Sequence, residues 1–347
     1  MSTPTATSAA VAISGLRKSF QLKGKTLEAV SGIDLTVAAG EIFGLLGPNG
    51  AGKTTTLRIL TTLLPADAGT AHVAGADVRR DPALVRRRIG YVGQLGGADA
   101  SATGRENLLL AGRLYGLSAE AARRRGDELA DVFGLSEFAG RAVRTYSGGQ
   151  RRRLEVALGI MHKPRVLFLD EPTTGLDPQN RANLWAQLRS LRDEGTTVFL
   201  TTHYLDEADQ LSDRVAIVDH GRVIALGTPD ELKRRYSADT IAVTPDVDPA
   251  GLPEVSRVLA DAVSAAAVAI EHGTIRLTVA DTRAAMATVI GVLAAGGAGL
   301  LAASVGRPSL DDVFLRETGR SLRDAGSPGA SLDAAAAYEG RAKEVAA

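Results

Sequence analysis

Three short runs in this chain are apolar at almost every position: residues 42–46, 166–169 and 197–200. Unbroken apolar runs set between helical patterns predict strands of a parallel sheet covered on both faces. Around them the pattern changes. Residues 11–20 and 30–37 predict edge strands, the second with partial alternation at Val30, Ile33, Leu35 and Val37. A helix is predicted over 55–63, and a short strand over 89–92 that ends at Gln94. From 101 to 159 the period becomes helical. Glu106, Leu109, Leu110, Arg113 and Leu114 share one amphipathic helix, 119–133 forms another, and Leu154, Ala157 and Leu158 face inward from a third over 151–161. A helical insert on an α/β core follows. Further on, 179–191 predicts a helix opened by Asp177-Pro178, and 215–219 and 222–226 flank His220-Gly221 as a hairpin. Residues 229–236 predict a short helix.

Pro245 and Pro249 mark a boundary within 237–250. Beyond it, helices over 253–265, 283–295 and 310–318 alternate with strands over 275–279 and 300–305. The expected organisation is a loose tail at 1–9, a main domain at 10–236, a small α/β domain at 237–320, and an Ala/Gly/Ser-rich disordered tail at 321–347. Residues 284–306 contain no charge and are long enough to cross a bilayer. Gly296-Gly297 interrupts them, so the expectation is a helix, a turn and a strand.

Composition narrows the function. Forty basic residues balance forty acidic ones, which gives no sign of a nucleic-acid surface. Without cysteine there is neither a disulfide framework nor a thiolate metal site. Residues 1–10 have no basic residue and no apolar centre, so a secretory signal is not expected and a cytosolic chain is.

The chemistry is concentrated at Gly47-Pro48-Asn49-Gly50-Ala51-Gly52-Lys53-Thr54, between a predicted strand and a predicted helix. This is the phosphate-binding pattern G-x-x-x-x-G-K-[ST] in its required context. The glycines let backbone N–H groups turn inward, the helix start adds its positive end, Lys53 reaches the β- and γ-phosphates, and Thr54 can ligate Mg2+. Asp170, at the end of a buried strand, is placed to contact Mg2+ directly or through water, and Glu171 to polarise a water in line with the γ-phosphate. His203 ends the next strand; it is either an ordinary surface histidine or a contact to the γ-phosphate or the attacking water. Tyr146-Ser147-Gly148-Gly149-Gln150 precedes a helix, with Ser147 as its N-cap. That stretch is either a plain cap or a second anion site.

Taken in order, these motifs resemble the ATP-binding cassette (ABC) transporter ATPases over about residues 10–236. The matching elements are the loop 47–54, Gln94, the signature 146–150, Asp170-Glu171, Gly175-Leu176-Asp177 and His203. Tyr146 departs from the Leu usual in the family. More narrowly, Thr103-Gly104-Arg105-Glu106-Asn107, the Tyr form of the signature and Pro308-Ser309-Leu310-Asp311-Asp312-Val313-Phe314 resemble the daunorubicin/doxorubicin-resistance type. The resemblance implies a P-loop NTPase cassette with a RecA-like parallel-sheet core, an antiparallel edge sheet, a helical subdomain and a small C-terminal domain for regulation or dimerisation. It implies ATP and Mg2+ as ligands, with Thr54, Gln94 and Asp170 at the metal and Thr55 among the nucleotide contacts. Phe20 would stack on adenine; as a lone aromatic it reads equally well as core. Ser147, Gly148, Gly149, Gln150 and Asp177 would touch the nucleotide of a second copy in a head-to-tail homodimer. A separately encoded membrane permease would be the partner, at the cytoplasmic face of the membrane, contacted by the surface from Gln94 to Leu117 that includes Glu106. No nucleic-acid partner is expected. The alternatives are a soluble ABC ATPase acting on ribosomes or nucleic acid, and a regulatory module with little turnover. Zero net charge, a single cassette and the absence of heptads disfavour the first; the presence of Glu171 disfavours the second.

Overall fold

A computed structural model describes residues 9–22, 25–236, 239–271, 273–306, 309–320 and 322. Most of the expected tails, 1–9 and 321–347, and Pro308 lie outside these residues. The chain divides into two units, the first running to Pro229 and taking in Leu322, and the second running from Asp230 to Ser321.

In chain order the first unit contains β1 (Ala9–Leu22), β2 (Lys25–Ala38), β3 (Ile42–Leu46), α1 (Lys53–Leu60), β4 (Ala68–Val73), β5 (Ala76–Asp77), α2 (Pro82–Arg88), β6 (Ile89–Val92), α3 (Gly104–Leu114), α4 (Ala119–Val132), α5 (Gly148–Gly159), β7 (Val166–Asp170), α6 (Pro178–Asp193), β8 (Thr197–Thr202), α7 (Leu205–Leu211), β9 (Arg214–Asp219) and β10 (Arg222–Gly227). β2, β1, β4 and β5 form an antiparallel sheet in that order. The central sheet has the order β10-β9-β3-β8-β7-β6. All its neighbours are parallel except the β9–β10 hairpin. The runs that read as apolar throughout, β3, β7 and β8, are buried at every position. Phe199 on β8 packs between Phe43 and Phe168, with ring centroids 5.4 Å from each. Because β3, β8 and β7 are parallel neighbours, their C-terminal ends lie side by side. The loop after β3, the Asp170-Glu171 pair and His203 are therefore brought to one edge of one sheet.

The helices of the insert are set by their caps. Thr103 and Glu106 make reciprocal bonds at the start of α3, and Ser118 accepts from Ala121 at the start of α4. α2 and α7 were not legible in the sequence; each is seven residues long, too short to display a helical period.

The second unit begins within α8 (Pro229–Tyr236) and contains β11 (Asp239–Asp246), α9 (Leu252–Ala262), β12 (Ala267–Glu271), β13 (Thr274–Val279), α10 (Thr282–Ala295), β14 (Gly299–Gly306) and α11 (Leu310–Thr318). Its sheet is antiparallel, in the order β12-β13-β11-β14. Ile241, Val243, Ile275 and Leu277 pack with Leu259, Val289 and Leu293 of α9 and α10. Two features depart from expectation. Residues 239–246, expected only as part of the boundary stretch, form an inner strand, and 267–271 form an edge strand. Pro245 hid β11; it sits where the β11–β14 register is broken, between Thr244 and Pro245, and an irregularity of this kind is where a sheet accepts proline. The uncharged stretch 284–306 is α10, a turn and β14. Among the described residues no helix is long and apolar enough to cross a membrane.

Ile241 discriminates between a linker and an inner strand. It is fully buried, so Ile241→Ala should destabilise the second unit by about 2–5 kcal/mol. Amide exchange of residues 239–306 would show this as a loss of protection. Unchanged protection would contradict the strand assignment.

Candidate functional site

Residues 47–54 turn the chain from β3 into α1. Gly50 and Gly52 have φ of 81° and 97°, a region that a side chain would strain. A Cβ on Gly47 would overlap the Val218 carbonyl, and one on Gly52 the Ala29 carbonyl. The first intrahelical bond of α1 runs from Thr56 N–H to Gly52 O, at 2.9 Å, and no side chain caps the helix. The N–H groups of Lys53, Thr54 and Thr55 therefore have no acceptor inside the helix. Orphan donors at the positive end of a helix make an anion site.

Lys53 is buried at this edge. Its Nζ donates to the carbonyls of Gly47 (2.8 Å) and Pro48 (3.0 Å) and lies 3.5 Å from Glu171 Oε1. Burial pushes its ammonium below the usual lysine range, against the pull of Glu171 and Asp170. Asp170 Oδ1 accepts from Thr54 Oγ1 (3.0 Å) and Thr201 Oγ1 (2.6 Å). Burial raises the Asp170 carboxyl, and these two hydrogen bonds oppose it. Glu171 takes a left-handed backbone, φ 46°. Its N–H donates to both the carbonyl and the hydroxyl of Thr201, at 3.1 Å each. Its side chain accepts from Gln94 Nε2 (3.0 Å) and Thr174 Oγ1 (3.3 Å). His203 Nδ1 lies 3.2 Å from Glu171 Oε1 without the alignment of a hydrogen bond. Burial alone would raise the Glu171 carboxyl; His203, Lys53 and Gln94 outweigh it and hold the group at about 2. The two carboxylates thus diverge, one fully ionised at neutral pH and its neighbour easier to protonate than usual.

The structure brings Lys53, Thr54, Gln94, Asp170, Glu171 and His203 into this one cluster. Thr201 joins it and was missed, because a threonine at the end of an apolar run looks like any strand end. The signature residues engage one another rather than the cluster. Ser147 Oγ accepts from Gln150 N–H (3.2 Å), and Ser147 N–H donates to Gln150 Oε1 (2.9 Å), a capping box for α5. Gly149 packs so closely on the Asn180 side chain that a Cβ would overlap it, whereas Gly148 has nothing within 4 Å of a Cβ. Asp177 caps α6 by accepting from Asn180 N–H at 2.9 Å. Phe20 is half-buried on β1, with Lys18 Nζ 5.6 Å from its ring centroid.

A groove of about 520 Å³ runs beside Gln94, between the 93–97 segment and α3. Its rim is apolar and open: Leu95 is 82 % exposed and Leu114 78 %, with Leu110 and Tyr115 beside them. Glu106, nearby on α3, is committed to the cap, bonding Thr103 N–H and Oγ1 at 2.7 and 2.8 Å.

Comparison with known proteins places this geometry. The ABC transporter family model matches residues 30–174, and that of the DrrA1-3-like ATP-binding protein C-terminal domain matches 227–318. The chain is 46 % identical over 316 residues to the daunorubicin/doxorubicin resistance ATP-binding protein DrrA of Streptomyces peucetius, covering 91 % of this chain and 94 % of that one. It is 40 % identical over 315 residues to the Nod factor export ATP-binding protein I of Ralstonia nicotianae, covering 90 % and 95 %. A solved dimeric ATP-binding cassette in a post-hydrolysis state, bound to ADP and Pi, superposes with a TM-score of 0.59 at 25 % identity, covering 63 % of this chain and 98 % of that one. The chain belongs to the ATP-binding subunits of ABC transporters and is similar to their daunorubicin/doxorubicin-resistance type.

Proposed function

We propose that this chain hydrolyses ATP to drive export of drugs or other small, hydrophobic molecules through a separately encoded integral membrane permease, from the cytoplasmic face of the membrane. The observation that carries this reading is the Glu171 carboxylate set 3.5 Å from buried Lys53, the lysine that opens the helix with the orphan N–H groups. The names of the relatives, resistance and export ATP-binding proteins, supply the transport side of the proposal.

The residues divide the work. The loop 47–52 and the N–H groups of Lys53, Thr54 and Thr55 hold the β- and γ-phosphates. Lys53 exchanges its carbonyl contacts for phosphate oxygens, a charge-assisted bond. Phe20 stacks on adenine. Glu171 polarises the attacking water, and His203 contacts the γ-phosphate. The oxygens of Thr54, Asp170 and Gln94 are of the kind that hold Mg2+, which would neutralise developing phosphate charge. Among the described residues no cluster of three or more His, Asp or Glu could hold a metal.

A second copy completes the site. The open face at Gly148 and the N-terminus of α5 offer a further set of N–H donors, and Gly149 packs on Asn180, whose backbone Asp177 caps. In a head-to-tail homodimer, Ser147, Gly148, Gly149, Gln150 and Asp177 would close over the nucleotide of the other copy. ATP then stabilises the closed dimer and hydrolysis releases it. The groove beside Gln94 takes an apolar segment of the permease, one residue from a side chain that touches Glu171.

Two outcomes test this. Glu171→Gln should keep ATP affinity, lose about 10²-fold or more in turnover, and accumulate an ATP-bound dimer on a sizing column. Wild-type turnover would contradict the assignment. Leu110→Asp with Leu114→Asp should abolish co-purification with the permease and drug efflux, while the isolated chain binds ATP as before. These two sites are preferable to Glu106, whose reversal would unpick the α3 cap. Intact efflux in the double variant would move the permease contact elsewhere.

A further inference from the structure

Arg152 is a buried arginine that the mechanism above does not use. It is 7 % exposed, on α5, one turn beyond the helix cap at Ser147. Its guanidinium makes four hydrogen bonds, with at least one from each nitrogen. Nε donates to Pro172 O at 2.8 Å, Nη2 to Asp170 O at 3.1 Å, and Nη1 to Gly93 O at 2.8 Å and to Glu155 Oε2 at 3.1 Å. Asp170 and Pro172 are the two residues on either side of Glu171. Gly93 precedes Gln94, whose side chain bonds Glu171. One rigid fork therefore holds the backbone before and after Glu171 and the backbone beside Gln94.

That arrangement answers a need. Glu171 has φ 46°, a conformation unfavourable for a residue with a side chain, which persists only where its surroundings over-determine it. Planar guanidinium geometry can fix two carbonyls in one orientation; an ammonium cannot. Glu155 supports the fork. It is buried, pairs with Arg152, and accepts from Arg151 Nε at 3.2 Å. It also presses on the 93–97 segment: Gly96 has φ 73°, and a Cβ there would overlap Glu155 Oε1. α5 thus grips the Gln94 segment from two sides through one ion pair.

We propose that Arg152, braced by Glu155, is a positioning residue for hydrolysis: it locks the left-handed backbone of Glu171 and the Gln94 segment to the helix that carries Ser147. The proposal rests on the reading of Glu171 as the group that aligns water.

The test uses the full chain. Arg152→Gln removes the fork, and Arg152→Lys keeps the charge beside Glu155 and so protects folding. Both should lower kcat for ATP about tenfold or more, as misplacement of a catalytic group does, with KM nearly unchanged. In a Glu171→Gln background, Arg152→Lys should cost much less than tenfold in single-turnover hydrolysis, because most of its effect passes through the missing carboxylate and only the part carried by the Gln94 segment remains. Glu155→Gln should fall between wild type and Arg152→Lys. Wild-type kcat in a folded Arg152→Gln protein would overturn the proposal, as would a rise in KM with unchanged kcat. The same tenfold loss on top of Glu171→Gln would also overturn it, since it would mark a merely structural role. Full turnover in Glu171→Gln alone would instead overturn the reading of Glu171 beneath it.

Discussion

Two carboxylates, Asp170 and Glu171, stand side by side at the end of one buried strand, and like charges in such a place cannot both ionise without help. The rest of the site is arranged around that constraint. Lys53 is drawn into the protein between two carbonyls and Glu171; Gln94 and His203 close on the same carboxylate; Thr54 and Thr201 satisfy Asp170. The result separates the pair, with Glu171 held at about 2 and Asp170 pushed up by burial. Divergent environments for adjacent acids are how a protein assigns different roles to identical groups. The arrangement needs the parallel order β3-β8-β7, because only neighbouring strands running the same way deliver the loop, the histidine and the acids to one edge.

Much of this was legible in the residues. The apolar runs at β3, β7 and β8 predicted a doubly covered parallel sheet, and fold and family agree with that reading. The spacing of 47–54 carried its chemistry with it, because a loop of glycines before a helix leaves N–H groups unpaired whatever else the chain does. Other parts were hidden for physical reasons. β11 was concealed by Pro245, tolerated at a break in register that no single-sequence pattern reveals. α2 and α7 are too short to repeat. Thr201 and Arg152 act through backbone carbonyls and hydroxyls brought close by tertiary packing. Arg152 sits in a run of three arginines that reads as a solvated face. The left-handed backbone of Glu171 has no sequence signature at all, since glutamate is not a residue that favours it.

On the proposed shared-site reading, a single copy presents half of a site. Its phosphate loop and carboxylates are assembled, while Ser147, Gln150 and Asp177 are occupied with helix caps and Gly148 faces open space. The most direct test of a shared site mixes two damaged copies. Lys53→Ala disables the phosphate loop. Gly148→Asp puts a like charge where the opposing phosphate would lie, in space that is free within one chain, and leaves the Ser147 cap intact. Each variant alone should be nearly inactive. In a mixed dimer one site inherits both defects and the other neither, so combining the two proteins should restore part of the ATPase activity. A mixture that stays inactive although mixed dimers form would contradict the shared-site account.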